Sequence, residues 1–188
     1  LGEDHRSLAK TYIQIGVVFE GQAKFEAAMG MYEAALEISR KTFGEEHATV
    51  ADAYSNMAAA LEKQGKLQDA EKMGLKALEI KRKTLGKEHK NVAVMYQNLA
   101  MICEKRGKLE EALEYYQQSL EILAKTPGKD LVAIYKSVAS VQQRQGKLDA
   151  VVKSYKLSLE LDKKFFGEEH LELANTYHRL GVVLGQLS

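Results

Sequence analysis

The 188-residue sequence contains one proline, one cysteine, no tryptophan and no long apolar run. The lone Cys103 cannot form an internal disulfide, which favours a reducing compartment and predicts a cytoplasmic protein. Membrane insertion is not expected, because a spanning helix needs about 18 or more consecutive apolar residues. Lys and Arg number 27 against 26 Asp and Glu, so no overall positive field would attract nucleic acid. The composition favours helices, and we predict no β-sheet.

An internal repeat organises the chain. Five signals, LGEDH, FGEEH, LGKEH, PGKDL and FGEEH, place glycines at positions spaced 42, 42, 42 and 39 residues apart. A second signal midway through the period, such as GKLQDA at 65–70 and GKLEEA at 107–112, implies two elements per repeat. We expect residues 1–188 to form a single repeat domain. Its approximate repeats are 1–42, 43–84, 85–126 and 127–165, with a terminal helix in 166–188.

Each element carries apolar residues at three- and four-residue spacing, as in Tyr54, Met57, Ala58 and Leu61. This spacing predicts amphipathic helices, and we name the first of each repeat A and the second B. A single A–B hairpin cannot bury its apolar face alone, whereas stacked hairpins can. The predicted fold is therefore an all-α, right-handed superhelical solenoid. It has four antiparallel hairpins plus one terminal helix from about Leu171 to Leu187.

Two departures from the repeat predict local differences. Gly74 replaces the tyrosine found at Tyr32, Tyr116 and Tyr155, which lowers helix propensity by about 1 kcal/mol. We expect the second repeat to be the softest unless a side chain from a partner fills the gap. The loop before the fourth repeat is three residues shorter, and Leu131 replaces its histidine, so we expect altered stacking there.

The third repeat carries a family resemblance in Tyr96, Leu99, Ala100, Gly107, Ala112, Tyr116 and Ser119. This order resembles the tetratricopeptide repeat. The 42-residue period, with LGKEHKNVAVMYQNLA and GKLEEALEYYQQSLEI, is similar to the subclass found in kinesin light chains. The resemblance implies that the A helices line a concave groove. It also implies a non-catalytic scaffold or adaptor that binds a peptide segment of a partner protein.

Histidines recur at one repeat position, as His5, His47, His89 and His170. Their separation by whole repeats is too large for one zinc coordination sphere, so we predict packing and capping roles and neither a metal nor a cofactor. Cys103 occupies a repeat position taken elsewhere by apolar residues, which predicts a buried thiol. The sequence contains no nucleophile elbow, phosphate loop or HExxH motif, and we predict no catalytic residue and no enzyme.

The solvent side of the A helices supplies the candidate peptide-binding residues. Asparagine amides can both donate to and accept from an extended peptide backbone. Lysine and arginine can pair with acidic side chains, so we expect the peptide to be acidic. The alternative for each residue is an ordinary solvated position. The candidates are Asn56, Gln97, Asn98, Met101, Lys105, Lys136, Arg144, His178 and Arg179.

Two further hypotheses remain open. The solenoid ends could mediate self-association, because Val182, Val183, Leu184 and Leu187 in the terminal helix have no following helix to cover them. The chain could also be the regulatory repeat domain of a larger signalling or motor-associated protein. Leu1 already lies within a repeat signal, so we expect a longer natural chain.

Overall fold

The structure is a computed structural model, which describes residues 2–126, 128–168 and 170–187. All regular secondary structure in these ranges is α-helical. The odd-numbered helices are the A helices and the even-numbered helices the B helices, and their order confirms the predicted all-α repeat fold. The helices are α1 Gly2–Gly21, α2 Phe25–Phe43, α3 Ala48–Lys63, α4 Leu67–Leu85, α5 Lys90–Lys105, α6 Leu109–Leu123, α7 Asp130–Arg144, α8 Leu148–Phe166 and α9 Leu171–Leu187.

The turns between A and B helices use a left-handed residue. Gly65 follows α3 with φ 76°, a conformation that a residue without a β-carbon adopts at no steric cost. Ala23 takes the same repeat position after α1 and also adopts a positive φ, 58°. The β-carbon of Ala23 makes this conformation strained. At this turn the packing of the repeat imposes a left-handed backbone conformation that alanine by itself disfavours.

Histidine side chains cap the start of three A helices. The Nδ1 atoms of His47, His89 and His170 accept the backbone N–H two residues on, at 3.3, 3.0 and 3.4 Å. The His47 ring also stacks on Phe43, with ring centroids 4.4 Å apart. The predicted capping role is thus confirmed for these three residues. His5, in contrast, is an exposed residue within α1.

The start of α7 differs from these three helices. Leu131 stands at the histidine position and is buried. The residue that precedes the helix, Lys129, is itself helical in φ and ψ and gives no side-chain cap. The fourth repeat therefore begins without the side-chain cap that the histidines give to α3, α5 and α9.

The chain divides into two compact units, Leu1–Arg106 and Gly107–Ser188. Unit 1 contains α1 to α5, in which α1 packs on α2, α3 on α4, and α2 and α4 on the following A helices. Tyr32, Tyr54 and Tyr96 are 0%, 4% and 7% exposed between these helices. The buried thiol of Cys103 belongs to this core, as predicted.

Two glycines in unit 1 allow close packing. A β-carbon at Gly16 would lie 2.7 Å from Cδ1 and 3.0 Å from Cζ of the Tyr32 ring. A β-carbon at Gly74 would lie 2.9 Å from Cδ2 of Leu99, which is fully buried. The gap expected at Gly74 is therefore filled from within the chain by Leu99.

Unit 2 contains α6 to α9, and each helix packs on the next. Its core forms around Tyr155 of α8, which is 1% exposed. The expectation that Val183 of α9 lies uncovered is wrong, because this side chain is 1% exposed and packs in the same core. Val182, Leu184 and Leu187 do lie at the surface, 47%, 46% and 45% exposed. The core cluster comprises Ala139, Val151, Tyr155, Leu159, Leu173, Leu180 and Val183.

Candidate functional site

Three amide side chains occupy matched positions on the A helices of unit 1. Gln14 lies on α1, Asn56 on α3 and Asn98 on α5, and we call them the amide row. Gln14 and Asn98 are exposed, and Asn56 is half-buried. Nδ2 of Asn56 donates to the backbone oxygen of Asp52 at 2.8 Å, which leaves its carbonyl oxygen as the group that can accept a bond from a ligand.

Three aliphatic side chains lie three residues further along the same helices. They are Val17, Ala59 and Met101, which we call the aliphatic row. Val17 and Met101 are 48% and 45% exposed, and Ala59 is half-buried. Residues three apart are neighbours on a helix surface, so each A helix of unit 1 presents an amide followed by an aliphatic group.

Ion pairs between neighbouring A helices border the aliphatic row. Nζ of Lys63 on α3 lies 2.7 Å from Oε1 of Glu20 on α1. Lys105 on α5 pairs in the same way with Glu62 on α3. The two carboxylate side chains are only 10% and 15% exposed, whereas both lysines are 53% exposed. Lys105, a candidate ligand contact, is thus engaged by a carboxylate of its own unit.

Two further contacts complete this network. Nζ of Lys81 on α4 lies 2.7 Å from Oδ1 of Asp52 on α3. The hydroxyl of Tyr32 donates to Oε2 of Glu20 at 2.8 Å. Burial, followed by the bond to Glu20, raises the pKa of Tyr32 well above its usual value, so the phenol stays a proton donor.

In unit 2, Lys136 on α7 lies between two carboxylates. Its Nζ is 3.0 Å from Oδ2 of Asp162 on α8 and 3.1 Å from Oε2 of Glu172 on α9. Asp162 is 1% exposed. The hydrogen bond and the charge of Lys136 lower the pKa of Glu172. Lys136, also a candidate ligand contact, therefore already forms ion pairs with two carboxylates of its own unit.

The other basic candidates of unit 2 are at the surface. Arg144 ends α7 and is exposed. His178 and Arg179 are exposed on α9, beside Tyr177, which is 49% exposed. Unit 2 thus presents basic side chains on its A helices. The structure places four candidates here and the other five, Asn56, Gln97, Asn98, Met101 and Lys105, in unit 1.

Three of the residues described above are not among the candidates predicted from the sequence. Gln14 and Val17 lie 42 residues before Asn56 and Ala59, so the period alone could have identified them. Asp162 gave no comparable signal, because its repeat position holds Ser39, Lys81 and Leu123 in the other repeats.

Within the described ranges, no helix combines the length and apolarity needed to cross a membrane. A comparison with curated proteins gave no match.

Solved structures with the same fold include a Podosopora anserina protein described as a kinesin light chain with nearly identical TPR-like repeats. It is 22% identical with a TM-score of 0.81, covering 93% of this chain and 84% of that one. A point variant of that protein is also 22% identical, with a TM-score of 0.83 and coverage of 95% and 86%. BtubC (BKLC) from P. vanneervenii is 21% identical with a TM-score of 0.83, covering 97% and 78%. The fold is thus similar to that of kinesin light chain-like repeat proteins.

Two family models, both described as tetratricopeptide repeat, match residues 8–49 and 49–125. Together they span well over half of the sequence. Repeats of this family generally mediate protein–protein interaction. The repeat period, the paired helices and both matches agree that the chain belongs to the tetratricopeptide repeat family.

Proposed function

We propose that the chain is a non-catalytic scaffold that binds a peptide segment of a partner protein on the exposed faces of its A helices. The observation that carries this proposal is the repeated stripe of unit 1, which is exposed on α1 and α5 and half-buried on α3. Amide and aliphatic side chains recur there at matched positions on three helices. Helices held by a packed core present such groups in a fixed arrangement, which limits the entropy lost on binding.

The chemistry of the peptide follows from the side chains that remain exposed. Arg179 and His178 on α9 suit acidic side chains, since arginine can bind a carboxylate through two hydrogen bonds. Lys136 is a weaker candidate, because Asp162 and Glu172 already surround its ammonium group. The acidic preference is therefore assigned to α9 in unit 2.

Peptide selection tests the proposal. Random 12-residue peptides displayed on phage are selected on the intact chain and measured by fluorescence anisotropy. We expect Met101→Asp or Arg179→Glu to weaken each selected peptide about tenfold, as expected for a lost buried contact or charge-assisted bond. Arg82→Glu, on helix B of the second repeat, is the matched control and should leave affinity unchanged. Selection of no peptide, or peptides insensitive to both A-helix variants, would contradict the proposal.

The exposed apolar side chains of α9 support a second candidate function, self-association. Val182, Leu184 and Leu187 are each close to half exposed. Sedimentation velocity of the chain and of Leu184→Lys tests this candidate. A dimer that the variant abolishes would support it, and a monomer at every concentration would exclude it.

For both candidates we propose a cytoplasmic location. The support is the use of the one cysteine as a buried core thiol.

A further inference from the structure

The charged groups around the two rows of unit 1 neutralise one another. Three carboxylates, on Glu20, Asp52 and Glu62, pair with the three ammonium groups of Lys63, Lys81 and Lys105. These six charges sum to zero, and each carboxylate lies within contact distance of its own cation. Two more charged side chains border the rows: Lys10 is exposed at the repeat position of Asp52 in α1, and Glu104 is half-buried on α5, three residues beyond Met101. Their opposite charges leave the sum at zero.

A charged ligand would gain little binding free energy from its charge on this surface. A ligand carboxylate would have to displace Glu20 or Glu62 from its lysine, and a ligand cation would have to displace the lysine. Either exchange replaces an existing ion pair with a new one, while the ligand charge also loses water. A ligand that places charged side chains next to the aliphatic row should therefore bind more weakly than an uncharged one.

Uncharged groups fit the same surface well. The amide row offers both hydrogen-bond donors and acceptors, which match the N–H and C=O groups of an extended backbone. The aliphatic row lies beside it and is about half exposed at Val17 and Met101. Covering this area removes apolar surface from water, which stabilises a complex by about 25 cal/mol per Å².

We propose that the A-helix face of unit 1 binds a peptide segment without charged side chains, holding its backbone with the amide row and its aliphatic side chains with the aliphatic row. The inference rests on the proposed function and specifies the partner chemistry for one of the two units. The acidic preference then belongs to unit 2 alone.

The experiment analyses the phage-selected peptides by the unit that binds them. Peptides weakened by Met101→Asp are assigned to unit 1, and those weakened by Arg179→Glu to unit 2. For the unit 1 group we expect aliphatic peptides that lack Asp, Glu, Lys and Arg. Their affinity should change less than about twofold between 50 and 500 mM NaCl, because screening affects only charged contacts.

A second variant tests the role of the ion pairs directly. Lys105→Ser leaves the carboxylate of Glu62 without its cation, and Lys105 is exposed enough for the variant to fold. Selection on this variant should enrich Lys and Arg in the unit 1 group, with binding that weakens several-fold in high salt. Lys41→Ser, which removes a cation paired with Glu37 on α2, is the matched control and should leave the peptides of the unit 1 group uncharged.

The outcomes separate the two proposals. Charged, salt-sensitive peptides that depend on Met101 would overturn the inference while supporting peptide binding. Uncharged peptides selected equally by wild type and by Lys105→Ser would also overturn it, since charge neutralisation would then not determine the preference. If no selected peptide depends on any A-helix residue, the proposed function itself fails.

Discussion

The two units each join an A helix to its B helix by an ion pair, but with opposite polarity. In unit 1 the acid is on the A helix, as Asp52, and the base on the B helix, as Lys81. In unit 2 the base is on the A helix, as Lys136, and the acid on the B helix, as Asp162. The Asp52 side chain is 49% exposed, whereas Asp162 is 1% exposed. Because the Asp162 side chain is short and buried, its carboxylate cannot reach water. The stability of unit 2 therefore depends more strongly on its ion pair than the stability of unit 1 does.

The largest effect is expected when Asp162 loses its cation. Lys136→Gln, which introduces the residue found at position 97 of the preceding repeat, should destabilise the fold by about 3–5 kcal/mol. Lys81→Leu, which introduces the residue of position 123, leaves Asp52 in contact with water and should cost about 1 kcal/mol or less. Urea unfolding followed by circular dichroism measures both changes.

A double variant separates pairing from packing. Lys136→Gln combined with Asp162→Leu should recover most of the lost stability, because no buried charge is then left unpaired. Equal losses from Lys136→Gln and Lys81→Leu would show that burial of the carboxylate does not distinguish the units.

The next-largest change in stability is expected at two glycines of unit 1, at repeat positions where unit 2 has larger residues. Gly16 matches Ala139, and Gly74 matches Tyr155. Gly16→Ala should destabilise by about 1–3 kcal/mol, since its new methyl group would meet the fully buried Tyr32 ring.

Gly74→Ala provides the contrast for that measurement. The β-carbon would meet only the end of the Leu99 side chain, and alanine gains about 1 kcal/mol in helix propensity. We therefore expect a shift in thermal unfolding much smaller than that of Gly16→Ala. A larger loss at Gly74 would mean that Leu99 cannot move.

The repeat fold was predictable because its signals are periodic. Glycines every 42 residues and apolar residues at helical spacing identified the helices, and the terminal helix was predicted at its observed bounds, Leu171–Leu187. The capping histidines also recur with the period. Features that occur once in each repeat can be recognised by comparing the copies.

The individual contacts were not predictable for the opposite reason. Lys136 looked like a ligand contact, because its position follows the helix face that was expected to meet solvent. Its actual partner, Asp162, is on another helix at a position where each repeat has a different residue. Val183 was likewise expected to be uncovered, but it packs in the core that α9 shares with α7 and α8. The partner of Lys136 and the burial of Val183 depend on three-dimensional packing. A single sequence contains no repeating pattern that would reveal them.

A smaller effect is expected at the first A–B turn, where unit 1 contains a strained residue. Ala23→Gly should stabilise the fold by about 1–2 kcal/mol, because φ 58° penalises a β-carbon. Gly146→Ala, at the matched turn of unit 2 with φ 72°, should destabilise by a similar amount. Thermal unfolding measures both, and a destabilising Ala23→Gly would show that the alanine methyl group makes a contact worth more than the strain.

The smallest effect concerns pH and distinguishes the start of α3 from the start of α7. A histidine caps α3 and α5 in unit 1 and α9 in unit 2, whereas α7 of unit 2 has no side-chain cap. Burial, together with the charge of Arg6, lowers the pKa of His47 below its usual value, and Asp52 opposes this shift. Since the unfolded histidine binds a proton more readily, the stabilisation is present above the usual pKa near 6.5 and is lost as pH falls through the folded value.

His47→Asn isolates the contribution of that cap. Asparagine can accept the same N–H but does not titrate, so the variant should match wild type near pH 7.5 and lose less stability at pH 5. His47→Ala should lose about 1 kcal/mol at pH 7.5 and show a weaker pH dependence than wild type. Urea midpoints at the two pH values measure this, with Leu131→Ala in α7 as a variant whose cost should not depend on pH. If wild type and His47→Asn weaken equally on acidification, protonation of His47 does not control the start of α3, and the pH response of unit 1 must arise from its carboxylates.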